Sequence, residues 1–216
     1  MRVVPRWALL SAALAPVLLI GGWTLGAAHQ PGGFDQVTGT ISALAARDAA
    51  DRWIMTLALL GLGLCHCVTA AGLRPLRPAG RLVLALGGVA TVAVAAFPLP
   101  SGRGSSTPHG LAAAVAFGAL ALWPALAAGG RRTSGRATGV TTAAGTVCAA
   151  LLLALVGWFV LELVAGGPRV GLSERVAAGA QALCPLLVAV ALDRGRSRHA
   201  ERAAGDPAAR SRCDGQ

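Results

Sequence analysis

Charge is what this sequence has least of. Only 13% of its 216 residues are charged and 55% are hydrophobic, with a mean hydropathy of +0.63. An ordinary soluble domain carries about 25% charged residues. A chain this apolar cannot cover its own surface with polar groups, which excludes a water-soluble globule and points to lipid as its solvent. Lysine is absent altogether: all 19 basic residues are arginine. With the abundance of Ala and Gly, that bias suggests a GC-rich bacterial coding sequence. Spaced extracellular cysteines are missing too. Cys65, Cys67, Cys148 and Cys184 lie inside apolar runs and Cys213 near the C-terminus, so no disulfide scaffold is expected. The net charge of +10 invites a nucleic-acid reading, but the arginines sit in short segments between apolar runs, and no nucleic-acid partner is expected.

What is present is a series of spans. A membrane-crossing helix needs roughly 20 mostly apolar residues. The sequence predicts six, at about 7–28, 53–73, 82–97, 109–127, 139–165 and 174–192, in an all-α, six-transmembrane-helix bundle over residues 1–192. Residues 193–216 read as a disordered, Arg-rich cytoplasmic tail. Between the first two spans, Val37, Ile41, Leu44 and Ala45 recur at helical spacing, which predicts a short surface helix in the first outer loop. The arginines orient the bundle. Fourteen of them flank one side of the spans, and five (Arg47, Arg52, Arg103, Arg169 and Arg175) the other. By the positive-inside rule the first side is cytoplasmic, with both termini on it, in a multi-pass protein of the bacterial plasma membrane. A cleaved signal peptide ending at Gly26-Ala27-Ala28 is the competing reading of the first span. Its apolar run is longer than the ~7–15 residues of a signal core, so retention is expected.

Several short motifs recur in an order that resembles one family. The first outer loop reads Gln30-Pro31-Gly32-Gly33-Phe34-Asp35 and then Thr40-Ile41-Ser42-Ala43-Leu44. The third span ends in Phe97-Pro98 and the fourth opens with Pro108-His109-Gly110. The sixth opens with Gly171-Leu172-Ser173-Glu174-Arg175. This pattern, up to about Leu192, resembles the bacterial domain-of-unknown-function family DUF998 of six-helix integral membrane proteins. The resemblance implies a topology and candidate positions, and brings no activity with it.

The candidate site is the outer face. Asp35, Ser42, His109, Glu174 and Arg175 come from three separate stretches, and the topology puts all of them there. Three inward-running helices also turn their N-termini outward, and their free N–H groups favour an anion. His109 opens a helix after Thr107-Pro108, and Glu174 follows Ser173 at another helix start. Each is therefore either a helix-end residue or a site group. Glu162 lies inside the fifth span about one turn from its outer end, so it is either an intramembrane carboxylate or one that reaches the headgroups. Ser42, His109 and Asp35 are the residue types of a nucleophile, base and orienter, but no Gly-x-Ser-x-Gly elbow surrounds Ser42. Cys65-His66-Cys67 has metal-binding residue types, yet a helix turns its thiols apart and no second ligand cluster lies at that depth. No metal and no cofactor are expected. Gly22 and Gly26 fit a small-residue packing face.

The leading functional reading is a membrane protein whose outer mouth binds a lipid headgroup or small anion, with membrane lipid as its partner and homo-oligomerisation open. The alternatives are a small transporter, or an outer-leaflet enzyme of hydrolase type using His109 with Ser42, Asp35 or Glu174. The sequence assigns no catalytic residue.

Overall fold

The computed structural model describes residues 3–129, 132–133, 136–137 and 141–204, with side chains placed in 3–129 and 141–194. Seven helices make up almost all of it: α1 (Arg6–Ala28), α2 (Ile41–Leu44), α3 (Trp53–Gly72), α4 (Pro78–Ala96), α5 (Thr107–Ala127), α6 (Thr142–Ala165) and α7 (Val170–Ala204). Between α5 and α6, β1 (Arg132–Thr133) pairs antiparallel with β2 (Arg136–Ala137). Six of the helices, all but α2, are long and apolar enough to cross a membrane. The protein is a multi-pass, all-helical membrane bundle.

Chain order and packing close the six long helices into a ring: α1 against α3, α3 against α4, α4 against α5, α5 against α6, α6 against α7, and α7 back against α1. We call the end formed by residues 29–52, 97–106 and 166–169 distal, and the opposite end proximal. Buried apolar side chains form two clusters. One, around Leu19, Leu44, Met55 and Leu62, lies toward the distal end, and the other, around Val4, Leu73, Leu84 and Trp123, toward the proximal end. Lipid tails are as apolar as leucine, so helices associate here by close packing of small residues. Gly22 faces Ala58 across α1–α3, where a Cβ would collide with the Ala58 methyl. Gly63 and Gly88 bring the α3 and α4 backbones together. A Cβ on either would lie 2.5–2.6 Å from the other's carbonyl oxygen.

Helix ends explain where the boundaries fall. Pro78 sits in the first turn of α4, where its missing N–H costs nothing, so α4 begins four residues before the expected Leu82. Arg81 on α4 donates from Nε to Ala70 O (2.8 Å) and from Nη2 to Ala71 O (3.2 Å), satisfying carbonyls at the end of α3. Thr141 caps α6 by accepting from the Ala144 amide, so the helix starts at Thr142, three residues later than expected. Gly166 ends α6 in the left-handed conformation at φ 61°, and α7 starts only four residues on, at Val170 instead of Glu174. Helix α7 then runs to Ala204, past the expected end at Leu192. The first part of the segment expected to be a disordered tail is thus helical backbone, and its remainder lies outside the described residues. Pro16, Pro124 and Pro185 lie inside α1, α5 and α7, and all three helices continue through them.

The distal loop of residues 29–52 is built tightly. The Gln30 amide bridges to Gly26 O, Ala50 O and the Ala50 N–H. The helix within it is one turn long, capped by the Thr40 hydroxyl at the Ala43 amide, and its Ile41, Ala43 and Leu44 are buried against the bundle.

Candidate functional site

Three of the sequence-expected residues meet at the distal end. Glu174 lies in the second turn of α7 and is buried. Its Oε2 accepts a hydrogen bond from the Ile41 amide, the first N–H of α2, at 2.5 Å. Its Oε1 accepts from the Ser42 hydroxyl at 3.2 Å. On the other side of Ser42 stands His109, in the first turn of α5, with Nε2 3.2 Å from Ser42 Oγ. The Phe97 carbonyl lies 2.9 Å from His109 Nδ1. A carbonyl can only accept, so Nδ1 carries a hydrogen and Nε2 is the nitrogen turned to Ser42. Residues separated by 67 and 132 positions therefore form one chain, His109–Ser42–Glu174. Glu174 does not cap its own helix: it takes the N–H at the start of α2, so the anion at that helix end is the protein's own carboxylate.

Asp35 is not part of this chain, and the Ser42–His109–Asp35 grouping is replaced. Its carboxylate is spent locally, accepting from the Val37 amide (2.8 Å) and the Thr38 hydroxyl (2.9 Å). Those bonds, with the Arg175 charge assisting, hold its carboxyl below the ordinary value of 3.8. The turn so formed offers carbonyls to Arg175, whose Nη1 donates to Gln36 O (2.9 Å), Gly39 O (2.7 Å) and Gly171 O (3.0 Å). The guanidinium is buried, with the Trp23 and Phe34 ring centroids 5.9 and 5.8 Å from its carbon. Its Nε and Nη2 have no hydrogen-bond partner among the described residues, and the aromatic faces supply cation–π attraction in their place. Arg175 is thus a clamp from α7 onto the distal loop.

Glu162 accepts from the Arg169 amide at 2.9 Å and closes the α6–α7 turn. It lines an open recess of about 550 Å³ together with Asp35, Arg103 and Thr38. Cys65 and Cys67 face different neighbours: Ser11 of α1 donates to the Cys65 carbonyl, and the Cys67 thiol points to Ala85 O of α4.

Beside the chain lies a groove of about 460 Å³ between α5 and α6. Ser42, His109, Glu174, Ser105 and Ser106 line its distal head. Gly110, Ala114, Phe117 and Gly118 of α5 form one wall, and Val156, Phe159, Val160 and Leu163 of α6 the other. Gly110, Ala114 and Gly118 are four apart, so they stack on one face of α5 and leave room along it. Val160 and Leu163 are exposed on the bundle flank, so the groove opens sideways toward lipid. Sequence reasoning missed this groove. The four-residue spacing of small residues on α5 was its only trace, and it is weak in a chain with 29 glycines.

A family model described as a protein of unknown function (DUF998) matches residues 13–191. No curated protein and no solved structure matches the chain.

Proposed function

The chain belongs to the DUF998 family, and we propose that it binds a single membrane lipid, with an acyl chain in the α5–α6 groove and the polar head against His109–Ser42–Glu174. The observation that carries this reading is the groove itself: one continuous space has apolar walls along its flank and all three polar side chains at its head. Its volume falls within the ~300–1,000 Å³ usual for small-molecule sites. The Glu174 carboxylate opposes a free anion at this point. A lipid whose head presents a hydroxyl, ester or amide to Ser42 and His109 suits it better. The membrane is the bacterial plasma membrane and the distal end faces outward, with both termini cytoplasmic. Supporting this are the lysine-free composition and the 14 arginines at the proximal side.

The test uses the open space around Gly118, where an added Cβ meets nothing within 4 Å. Gly118→Leu should fill the groove without disturbing the fold. Lipid co-purifying with the protein, read by native mass spectrometry, should fall roughly tenfold, the equivalent of about 1.4 kcal/mol. Gly21→Leu, at an equally open position on α1, should retain it. Unchanged lipid in Gly118→Leu would remove the proposal.

The Ser42–His109 contact favours one second reading, an outer-leaflet hydrolase in which His109 takes the Ser42 proton. Release of fatty acid from ester lipids, abolished by Ser42→Ala while lipid binding persists, would establish catalysis over binding. The unbroken helices weigh against a carrier built on interrupted midplane segments.

A further inference from the structure

A second space lies inside the bundle and reaches from the polar chain to mid-membrane depth. It has a volume of about 60 Å³ and is closed in by α1, α2, α3, α4, α5 and α7. Most of its lining is aliphatic, but Glu174 and Ser42 stand at its distal end and His66, Thr91 and Gln181 farther in. All of these except Ser42 are buried polar groups. His66 is 13 residues into α3, which puts it ~20 Å from the distal end of that helix at ~1.5 Å per residue.

His66 is the unexplained member. Its Nδ1 lies 2.8 Å from Leu62 O, a carbonyl that can only accept, so Nδ1 is the donor. Neutral Nε2 is then an acceptor. It is fully buried, and among the described residues no group makes a well-directed hydrogen bond to it, the Gln181 backbone being a polar neighbour of the ring. An acceptor left so in a membrane interior is destabilising unless something donates to it. The other polar groups have bonding capacity to spare. Thr91 donates to Gly87 O and keeps its oxygen lone pairs. Gln181 uses Nε2 on Phe117 O, with the second N–H of that amide remaining.

We infer that this cavity is a hydration site: a short file of water runs inward from Ser42 and Glu174 and ends on His66 Nε2. Polar cavities hold water and apolar ones stay dry, and a buried water needs two to four polar partners. The ~10–15 Å³ needed to admit a water is exceeded several-fold here. The waters bridge Ser42 and Glu174 at one end to Thr91, Gln181 and His66 at the other. The bundle therefore carries bound water to mid-membrane from the distal end, through a space that meets the α5–α6 groove at Ser42 and Glu174 and runs inward from there. The inference does not depend on lipid binding there.

Water-edited solid-state NMR in lipid bilayers tests it on the unaltered protein. The four histidine ring signals are separable, and that of His66 is identified by its loss in His66→Gln. Magnetisation from water should build up on the His66 ring as quickly as on His109. Ala116→Leu, which fills the cavity from α5, should slow that build-up at His66 and leave His109 unchanged. Build-up at His66 in the unaltered protein as slow as at the buried Leu84 methyls would show a dry cavity and overturn the inference. So would water transfer to His66 that Ala116→Leu leaves intact.

Discussion

At the scale of single residues, Ser42 has one hydroxyl proton and two neighbours able to accept it, Glu174 Oε1 and His109 Nε2. With both neighbours unprotonated, one contact goes unmade. A single shared proton satisfies both. Either the carboxylic acid donates to Ser42 and Ser42 to Nε2, or Nε2–H donates to Ser42 and Ser42 to the carboxylate. His109 and Glu174 are therefore coupled through a side chain that touches both. In a double-mutant cycle of Glu174→Gln with His109→Gln, read by reversible unfolding in detergent, the coupling should be about 0.5–3 kcal/mol. Repeating the cycle on a Ser42→Ala background should reduce it below about 0.5 kcal/mol. Additivity on the native background would make the two residues independent helix-end groups. Asp35 allows a separate test. Its carboxyl is held below 3.8 in the fold, chiefly by the Val37 amide and the Thr38 hydroxyl. A depressed folded-state value means stability that is present above the unfolded value and lost as pH falls through the folded one. The melting-temperature gap between the native protein and Asp35→Asn should therefore be constant above about pH 5 and narrow below about pH 4. A gap that stays flat to about pH 3 would show that the Asp35 charge contributes nothing.

At the scale of elements, what the sequence revealed depended on how abruptly each helix ends. Helix α3 lies between Arg52 and Arg74-Pro75, and its extent matched the apolar run to within a residue. The α6–α7 turn was harder. Residues 166–169 are too few to break the pattern, and Gly171-Leu172-Ser173 resembles a helix start although it already lies inside α7. Helix α2 is shorter than its apolar spacing suggested, because the Asp35 turn and the Thr40 cap consume residues 35–40. Side-chain pairing between helices was not legible, since a 3.6-residue period fixes a face and not the partner it meets. Cys148 of α6 and Cys184 of α7 illustrate this, their Sγ atoms lying 3.3 Å apart as free thiols. A disulfide holds its sulfurs about 2.05 Å apart, so bond formation needs a further approach of little more than about 1 Å. Treatment with copper-phenanthroline should join these two cysteines within one chain. Peptide mapping would detect the link, and Cys184→Ser should abolish it. A failure to cross-link, or cross-links only between chains, would contradict the packing of α6 on α7.

At the scale of the whole molecule, the six spans and the family were legible because lipid imposes a simple rule: about 20 apolar residues per crossing, with charges kept to the ends. The chain's polar centre was legible only as a set of residues on one side. The bonds between α2 and α7 join positions more than 130 apart, and no local pattern encodes such a distance. The groove and the inner cavity arise from what six helices leave unfilled, which a one-dimensional reading does not register. Orientation rests on a different asymmetry. Insertion keeps positively charged segments on the cytoplasmic side, and along the sequence 14 arginines fall in the segments on one side of the spans and five in those on the other. If the distal end faces outward, the α4–α5 loop with exposed Ser105 is outside and the α5–α6 loop with Ser134 is inside. In a variant with all five cysteines replaced, a membrane-impermeant maleimide applied to intact cells should label Ser105→Cys. It should label Ser134→Cys only after permeabilisation. The reverse pattern would invert the bundle and put His109, Ser42 and Glu174 toward the cytoplasm. The groove would then draw its lipid from the inner leaflet. Equal labelling of both sites in intact cells would mean that the arginine asymmetry does not set a single orientation.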